Sequence, residues 1–172
     1  MQRNAFRLLN VFLSVLIINS CVEKKIKLPE GWRMPGSVEV KDKWRDEGAN
    51  RYLWFKADFN GDGIEDQANV LINKDNKKVG IFAFVSQKDD KYTTFKLNEM
   101  DIKYIEYVGL SMVSPGRYVT LCGKGGLYDC GDDPDEIVLS YNAIEFFFEG
   151  KNSRYFYWDS SKDGFKSVSI TD

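Results

Sequence analysis

The sequence predicts a mainly β domain, an antiparallel meander folded as a sandwich or a partly open barrel, with one short N-terminal helix. Short runs rich in β-branched and aromatic residues follow one another at a spacing of about ten residues, as strands do in all-β folds. Turn-forming Asn, Asp, Pro and Gly residues separate the runs. The runs cover residues 51–57, 67–73, 79–87, 92–97, 102–112, 117–122, 136–140, 143–149, 154–158 and 165–170.

The N-terminus has the layout of a bacterial export signal. Arg3 and Arg7 precede the run 8–18, which is almost entirely apolar. This run is shorter than the roughly 20 apolar residues that cross a bilayer, and it falls within the roughly 7 to 15 typical of a signal peptide. We therefore expect residues 1–20 to be a signal peptide that is removed on export.

The end of this segment, Ile-Asn-Ser-Cys at 18–21, resembles the lipobox of bacterial lipoproteins. An aliphatic residue at −3 and a small residue at −1 precede the cysteine, whereas Asn19 at −2 departs from the usual small or aliphatic residue. The resemblance implies that Cys21 is acylated and that its acyl chains anchor the protein to the bilayer. It places the protein in the cell envelope, facing the periplasm, and Val22 favours the outer membrane in a Gram-negative host. An ordinary signal peptide with an incidental cysteine is the alternative.

The segment after the cysteine predicts a tether, residues 21–36, which leads into one domain, residues 37–172. Two prolines and two glycines between positions 29 and 36 prevent a long regular element there. Ser37 is a suitable N-cap for a helix over 38–47, in which Val40 and Trp44 share one face and after which Gly48 is a stop. Removing residues 1–20 from the 172 leaves 152, which suits one domain with a sizeable core.

The strongest candidate site is the acidic loop 57–67, between two apolar runs. Oxygen-bearing side chains alternate at Asp58, Asn60 and Asp62, Gly63 permits a sharp turn, and Asp66 closes the loop. Hard cations such as Ca²⁺ prefer this ligand set, and crowded carboxylates repel one another unless water or a cation intervenes. The alternative is a solvated turn in which these side chains bond only to the backbone.

The loop resembles the D-x-[DN]-x-D-G-x-x-D calcium motif of FG-GAP and related repeats. The resemblance implies side-chain ligands at Asp58, Asn60, Asp62 and Asp66 and a backbone carbonyl ligand at Ile64. The motif occurs once in the chain, so a propeller of repeated blades is not expected.

An EF-hand is excluded, because its loop needs flanking helices and a glutamate at the twelfth position. In this chain the flanks are predicted strands and the twelfth residue is Asn69.

The two remaining cysteines, Cys122 and Cys130, predict a disulfide. They form an even pair in a chain that is expected to leave the cytoplasm. A metal site is the alternative, but it lacks further thiols, and the chain has no histidine.

Aromatic residues are dense at 146–148 and 155–158. Alternation along a strand sends neighbouring side chains to opposite faces. A sheet covered on both sides is one interpretation, and an exposed aromatic patch that binds a partner is the other.

Composition narrows the class of function. The chain has 24 basic and 26 acidic residues, and loss of Arg3 and Arg7 leaves a formal charge of 22 − 26 = −4, which argues against a nucleic-acid partner. The absence of histidine excludes the commonest hydrolase designs, so we expect no enzyme. We expect a membrane-anchored, non-catalytic binding module stabilised by calcium, with a possible protein partner in the envelope. An immunity or inhibitor lipoprotein that blocks a toxin or wall hydrolase is the alternative.

Overall fold

The structure is a computed structural model that describes residues 26–89, 91–125 and 130–171. The predicted signal peptide and the lipidation site Cys21 lie outside the described residues. No helix among those described is long and apolar enough to cross a membrane.

The first sheet is antiparallel and contains two short strands that share one edge of a longer one. Its strands are β1 (Trp32–Arg33), β2 (Trp54–Ala57), β3 (Asp66–Asn73), β4 (Lys78–Ser86) and β5 (Tyr92–Asp101). The short strand β1 pairs with β3 through Ile72 and Asn73, and the short strand β2 pairs with β3 through the stretch 66–69. The strand order is β1-β3-β4-β5, with β2 beside β3.

The second half of the chain forms another antiparallel sheet and a separate hairpin. The strands are β6 (Val108–Val113), β7 (Gly116–Val119), β8 (Glu136–Leu139), β9 (Ala143–Phe148), β10 (Ser153–Asp159) and β11 (Gly164–Thr171). The second sheet has the order β11-β10-β9-β6, and the hairpin joins β7 to β8. Each of the runs predicted from the sequence overlaps one of the strands β2 to β11.

The two sheets pack against each other over a shared apolar core, as in a β-sandwich. Val70 and Ile81 of the first sheet and Val108 and Ile144 of the second are all fully buried in one cluster. The mainly β, antiparallel prediction is therefore confirmed, and neither sheet closes into a barrel within the described residues.

Both outer faces of the sandwich are covered as well. On the first sheet, Ile26, Leu28, Trp32 and Met34 pack on a cluster of Leu71, Phe82 and Phe84. Residues 26–36, which the sequence analysis assigns to the tether, thus belong to the folded unit, because Trp32 covers apolar side chains that would otherwise face water.

The β7–β8 hairpin covers the outer face of the second sheet. Ile137 and Leu139 of this hairpin pack against Val168 and Ile170 of β11, together with Tyr155. The dense aromatic segments are consequently divided between two cores: Phe146 and Phe156 lie between the sheets, whereas Tyr155 faces the hairpin. This is the arrangement expected for a sheet covered on both sides.

The helix predicted over 38–47 is replaced by a 3₁₀ helix at Lys43–Glu47. The fully buried residue in this segment is Arg45, which donates to the carbonyl oxygens of Ile105 and Arg51 and lies 4.3 Å from the Trp44 ring. Arg45 thus holds this segment in the protein together with Val40, which is 2 % exposed and belongs to the core between the sheets. Burial lowers the pKa of Arg45 to about 10.

Candidate metal centre

The acidic loop joins β2 to β3 and is held in the core by one aromatic side chain. The last paired residues of this hairpin are Ala57 and Asp66. Phe59, inside the loop, is fully buried and lies edge-on to the rings of Phe55 and Phe165, at centroid distances of 5.7 and 6.1 Å. The position of the loop is therefore set by apolar packing against both sheets.

Asp58 bonds to the turn that follows it. Its Oδ1 accepts the backbone N–H of Gly61 at 2.7 Å, and its Oδ2 accepts that of Gly63 at 2.9 Å. Both glycines have positive φ, of 80° and 79°, a backbone conformation that favours glycine. The two glycines thus allow one carboxylate to bind two successive bends of the chain.

Asn60 and Asp62 make shorter-range bonds of the same kind. Asn60 Oδ1 accepts the N–H of Asp62 at 3.1 Å, and Asp62 Oδ1 accepts the N–H of Ile64 at 2.8 Å. The Asn60 amide also donates to Asp62 Oδ2 at 3.2 Å. These contacts order the loop tip and hold its oxygen atoms close together.

Asp66 differs from the other acidic residues because it is buried, with 1 % of its surface exposed. Its Oδ2 accepts the N–H of Phe59 and its Oδ1 accepts the N–H of Ser86, both at 2.8 Å. Burial raises the pKa of Asp66 to about 6; the two hydrogen bonds oppose that rise, and the charges of Asp62 and Asp58 add to it. Asp66 thus experiences the negative charge of the loop directly.

The loop also contacts the turn between β8 and β9. The Asn142 amide donates to the carbonyl oxygen of Asp58 at 3.3 Å. The ring of Tyr141 lies so close to Gly61 that a Cβ atom there would be 2.0 Å from it. The acidic loop therefore bridges the hairpin of the first sheet and a turn of the second.

The donor chemistry of the loop fits a hard cation. An ionised carboxylate has about four lone-pair sites, and Asp58 and Asp66 each use two of them for backbone N–H groups. Each therefore keeps acceptor capacity for an ion. In the conformation described, however, no three acidic, histidine or cysteine side chains within residues 26–89, 91–125 and 130–171 converge on one point. Calcium binding would require the ligand side chains of the loop to come closer together than they are in this conformation.

The predicted disulfide between Cys122 and Cys130 is present, with the two Cα atoms 5.7 Å apart. Thr120 lies just before it, and its N–H and hydroxyl both bond to the carbonyl oxygen of Asp135, at 2.9 and 3.2 Å. The bridge thus closes a loop whose two ends are already held together next to the β7–β8 hairpin.

Three residues that contact this loop were missed by sequence reasoning. Ser86 bonds to Asp66 from the end of a different strand, Asn142 bonds to the backbone of the loop, and Tyr141 packs on Gly61 from the turn between β8 and β9. None of these positions has a local pattern that indicates such a role.

Comparison with family models, with curated proteins and with solved structures finds no match to this chain.

Proposed function

We propose that this chain is a lipid-anchored, non-catalytic binding domain of the bacterial cell envelope, stabilised by calcium in the loop 58–66. The observation that carries the proposal is the position of this loop, which contains Asp58, Asp62 and Asp66 and lies where a hairpin of the first sheet meets the turn between β8 and β9. The lipobox at 18–21 supports the anchor, and the Cys122–Cys130 bridge suits an oxidising compartment.

Calcium would act on this site by relieving charge repulsion. The ligands proposed are the side chains of Asp58, Asn60, Asp62 and Asp66 and the carbonyl of Ile64. Since the charges of Asp58 and Asp62 raise the pKa of buried Asp66, a divalent cation among them would favour the ionised form of all three. Binding would then strengthen the connection between the two sheets.

A calcium titration of the full-length chain in a non-ionic detergent tests this proposal. At a calcium concentration about 100-fold above Kd, binding adds about 2.7 kcal/mol to the free energy of unfolding. For a domain of this size that corresponds to a rise in Tm of about 5 to 10 °C. Magnesium at the same concentration should raise Tm less, because it requires a stricter octahedral geometry.

The matched variants are Asp62→Ala and Asp75→Ala. Asp62→Ala removes a ligand and should abolish the rise in Tm, whereas Asp75 is an exposed carboxylate in the β3–β4 turn whose replacement should leave the rise intact. A wild-type Tm that does not respond to calcium would refute the metal site.

The anchor is tested separately by growing expressing cells with labelled palmitate. The wild-type protein should carry the label and sediment with membranes. Cys21→Ser should do neither, whereas the double variant Cys122→Ser/Cys130→Ser should keep the label. Label on the Cys21→Ser protein would show that lipid is attached elsewhere.

One observation favours the inhibitor as a second candidate function. The outer side of the β7–β8 hairpin exposes Val119 and Val138, by 44 % and 62 %, next to the disulfide-closed loop. Exposed apolar side chains on a strand pair suit a protein partner. For this function we expect a neighbouring gene that encodes a secreted toxin or wall hydrolase, and Val138→Asp should abolish protection of cells against it. Protection that survives Val138→Asp would exclude this surface.

A further inference from the structure

One strand of the second sheet has polar residues on the side that faces the first sheet. In β11, Ser167 lies opposite Phe156 and Ser169 lies opposite Arg154, and Phe156 belongs to the core between the sheets. The apolar residues that alternate with these serines, Val168 and Ile170, point to the hairpin side instead. The β10–β11 end of the sandwich is therefore not filled by apolar side chains as the rest of the core is.

At this end, residues of both sheets line an open cleft of about 390 Å³. Small-molecule sites have volumes of about 300 to 1,000 Å³ and combine apolar walls with a few polar groups. The rings of Phe146 and Phe148 and the side chain of Leu121 supply the apolar wall, and Asn98 of β5 lies on the opposite sheet. The volume of the cleft therefore lies in the range of small-molecule sites, and its lining combines one apolar wall with six polar residues.

Arg154 supplies the single charge among the described residues that line the cleft. Its Nη2 lies 3.2 Å from the hydroxyl oxygen of Ser169, and its Nη1 lies 3.4 Å from that of Ser167. Both serines therefore accept from the guanidinium group and orient it. No ion pair found between described residues includes Arg154, so a carboxylate partner is not already provided by the part of the chain that the structure describes.

A second cation lies near the same strand. The Nζ of Lys124 donates to the carbonyl oxygen of Ile170 at 2.8 Å, one residue from Ser169. The backbone N–H of Leu121 donates to the carbonyl of Ser169 at 2.9 Å, which holds the Leu121 side chain at the cleft. Two cationic side chains, Arg154 and Lys124, thus bond to β11 near Ser169, in a chain whose net charge is negative.

We propose that this cleft binds a small organic carboxylate, with the carboxylate on Arg154 and an apolar body against Phe146 and Phe148. Arginine forms paired, charge-assisted hydrogen bonds with a carboxylate. The apolar wall selects an organic acid over an inorganic anion, because phosphate or sulfate would leave Phe148 and Leu121 without a contact. This inference rests on the proposed role as a binding domain and names its ligand class.

The probes are benzoate, hexanoate and N-acetylphenylalanine, titrated by calorimetry into the full-length chain in a non-ionic detergent with calcium present. N-acetylphenylalanine amide and inorganic phosphate are the matched controls, since the first lacks the charge and the second lacks the apolar body. At least one of the three carboxylates should bind, and it should bind about tenfold or more tightly than either control, because a hydrogen bond between charged groups accounts for a difference of that size.

Three variants locate the binding. Arg154→Gln should weaken carboxylate binding about tenfold or more, and Arg154→Lys should weaken it by a smaller factor because the charge remains but the paired geometry is lost. Arg117→Gln should change nothing, since Arg117 is an exposed arginine on β7 that pairs with Glu136 at 2.7 Å.

Two results would overturn the proposal. The first is the absence of binding by all three carboxylates, and the second is equal binding by the wild type and Arg154→Gln. In either case, a rise in Tm with calcium in the same preparation would support the proposed calcium site and show that only the proposal of a carboxylate-binding cleft is wrong. Loss of the calcium response with carboxylate binding retained would show the reverse.

Discussion

The carboxylate of Asp66 accepts the backbone N–H of Ser86 at 2.8 Å, which connects the start of β3 to the last residue of β4. The other oxygen of Asp66 accepts the N–H of Phe59 inside the acidic loop. One buried side chain therefore holds the loop, the hairpin and the neighbouring strand together, with or without a metal ion.

Asp66→Ala should lower the free energy of unfolding in calcium-free buffer by about 2 kcal/mol, because an unpaired buried donor costs about 1 to 3 kcal/mol. Urea denaturation should show a lower midpoint with an unchanged slope. Asp75→Ala, at an exposed carboxylate, should stay within about 0.5 kcal/mol of the wild type. Equal midpoints for the two variants would contradict a structural role for Asp66.

The strands were predictable because their signal is local. Alternation and turn residues identified the positions of β2 to β11, since period-2 burial is imposed on each strand separately. The two-residue strand β1 was not predictable, because Trp32 and Arg33 lie among prolines and glycines and pair only through a partner, β3, about 40 residues away. The prediction of a helix at 38–47 was wrong for a similar reason. The buried Arg45 donates hydrogen bonds to the carbonyl oxygens of Arg51 and Ile105, which no local pattern indicates.

The candidate metal site was likewise predictable only where its signal is local. Asp58, Asn60, Asp62 and Asp66 lie within nine consecutive residues, so their common loop could be identified from spacing alone. The residues that hold this loop in place could not be identified from the sequence, because they are distant along the chain. Asn142, for example, is 84 residues from Asp58. The cleft at Arg154 has a weak local signal, the serines that alternate with Val168 and Ile170 in β11, but only the packing of the hairpin shows which side of that strand is apolar.

The packing of the Tyr141 ring on the acidic loop can be measured by comparing alanine substitutions at Gly61 and Gly63. Their φ angles are nearly equal, at 80° and 79°, but a Cβ at Gly61 would meet the Tyr141 ring, whereas a Cβ at Gly63 has no neighbour within 4 Å. Gly63→Ala should cost about 1 kcal/mol from backbone strain alone. Gly61→Ala should cost about 1 kcal/mol more, because the ring must move.

A double-mutant cycle isolates this second contribution. On the background of Tyr141→Ala, the costs of Gly61→Ala and Gly63→Ala should become equal within about 0.5 kcal/mol. Chemical denaturation of the variants in calcium-free buffer measures the difference. A gap that persists without the tyrosine ring would mean that it arises from the backbone.

Trp32 should contribute to stability although it lies in a segment that resembles a tether. Its ring packs edge-on against Phe82 at a centroid distance of 4.8 Å. Trp32→Ala should therefore cost about 2 kcal/mol, less than the 3 to 5 kcal/mol of a fully buried aromatic residue, because Trp32 is only half-buried. Val38→Ala is the control, since Val38 is 81 % exposed and should change stability by less than about 0.5 kcal/mol. Thermal denaturation that does not separate the two variants would favour a free tether.

The Cys122–Cys130 bridge should stabilise the fold by restricting the unfolded chain. For a loop of this length the chain-entropy contribution is about 2.5 kcal/mol. The double variant Cys122→Ala/Cys130→Ala should lose about that amount in urea denaturation. Thiol titration of Cys21→Ser in denaturant should find no free thiol before reduction and two afterwards. Two free thiols before reduction would contradict the bridge.

Acid should weaken the turn between β10 and β11 through Asp159. Its Oδ2 lies 2.7 Å from the Nζ of Lys166 in an ion pair, and its Oδ1 accepts from the hydroxyl of Ser161 at 2.7 Å. The contact with Lys166 is the largest of the causes that lower its pKa to about 2. Because the folded pKa lies below the ordinary value of about 3.8, the stabilisation is present above about pH 4 and is lost as the pH falls through 2.

The carboxyl ¹³C resonance of Asp159 should therefore titrate near pH 2 in the wild type. Lys166→Gln should move that midpoint up towards 3.8, whereas Lys162→Gln, at an exposed lysine of the same turn, should leave it in place. Between pH 5 and pH 2, the Tm of Asp159→Asn should fall by less than the Tm of the wild type, because the asparagine has no charge for acid to neutralise. A wild-type midpoint near 3.8 would show that Lys166 does not hold the carboxylate in solution.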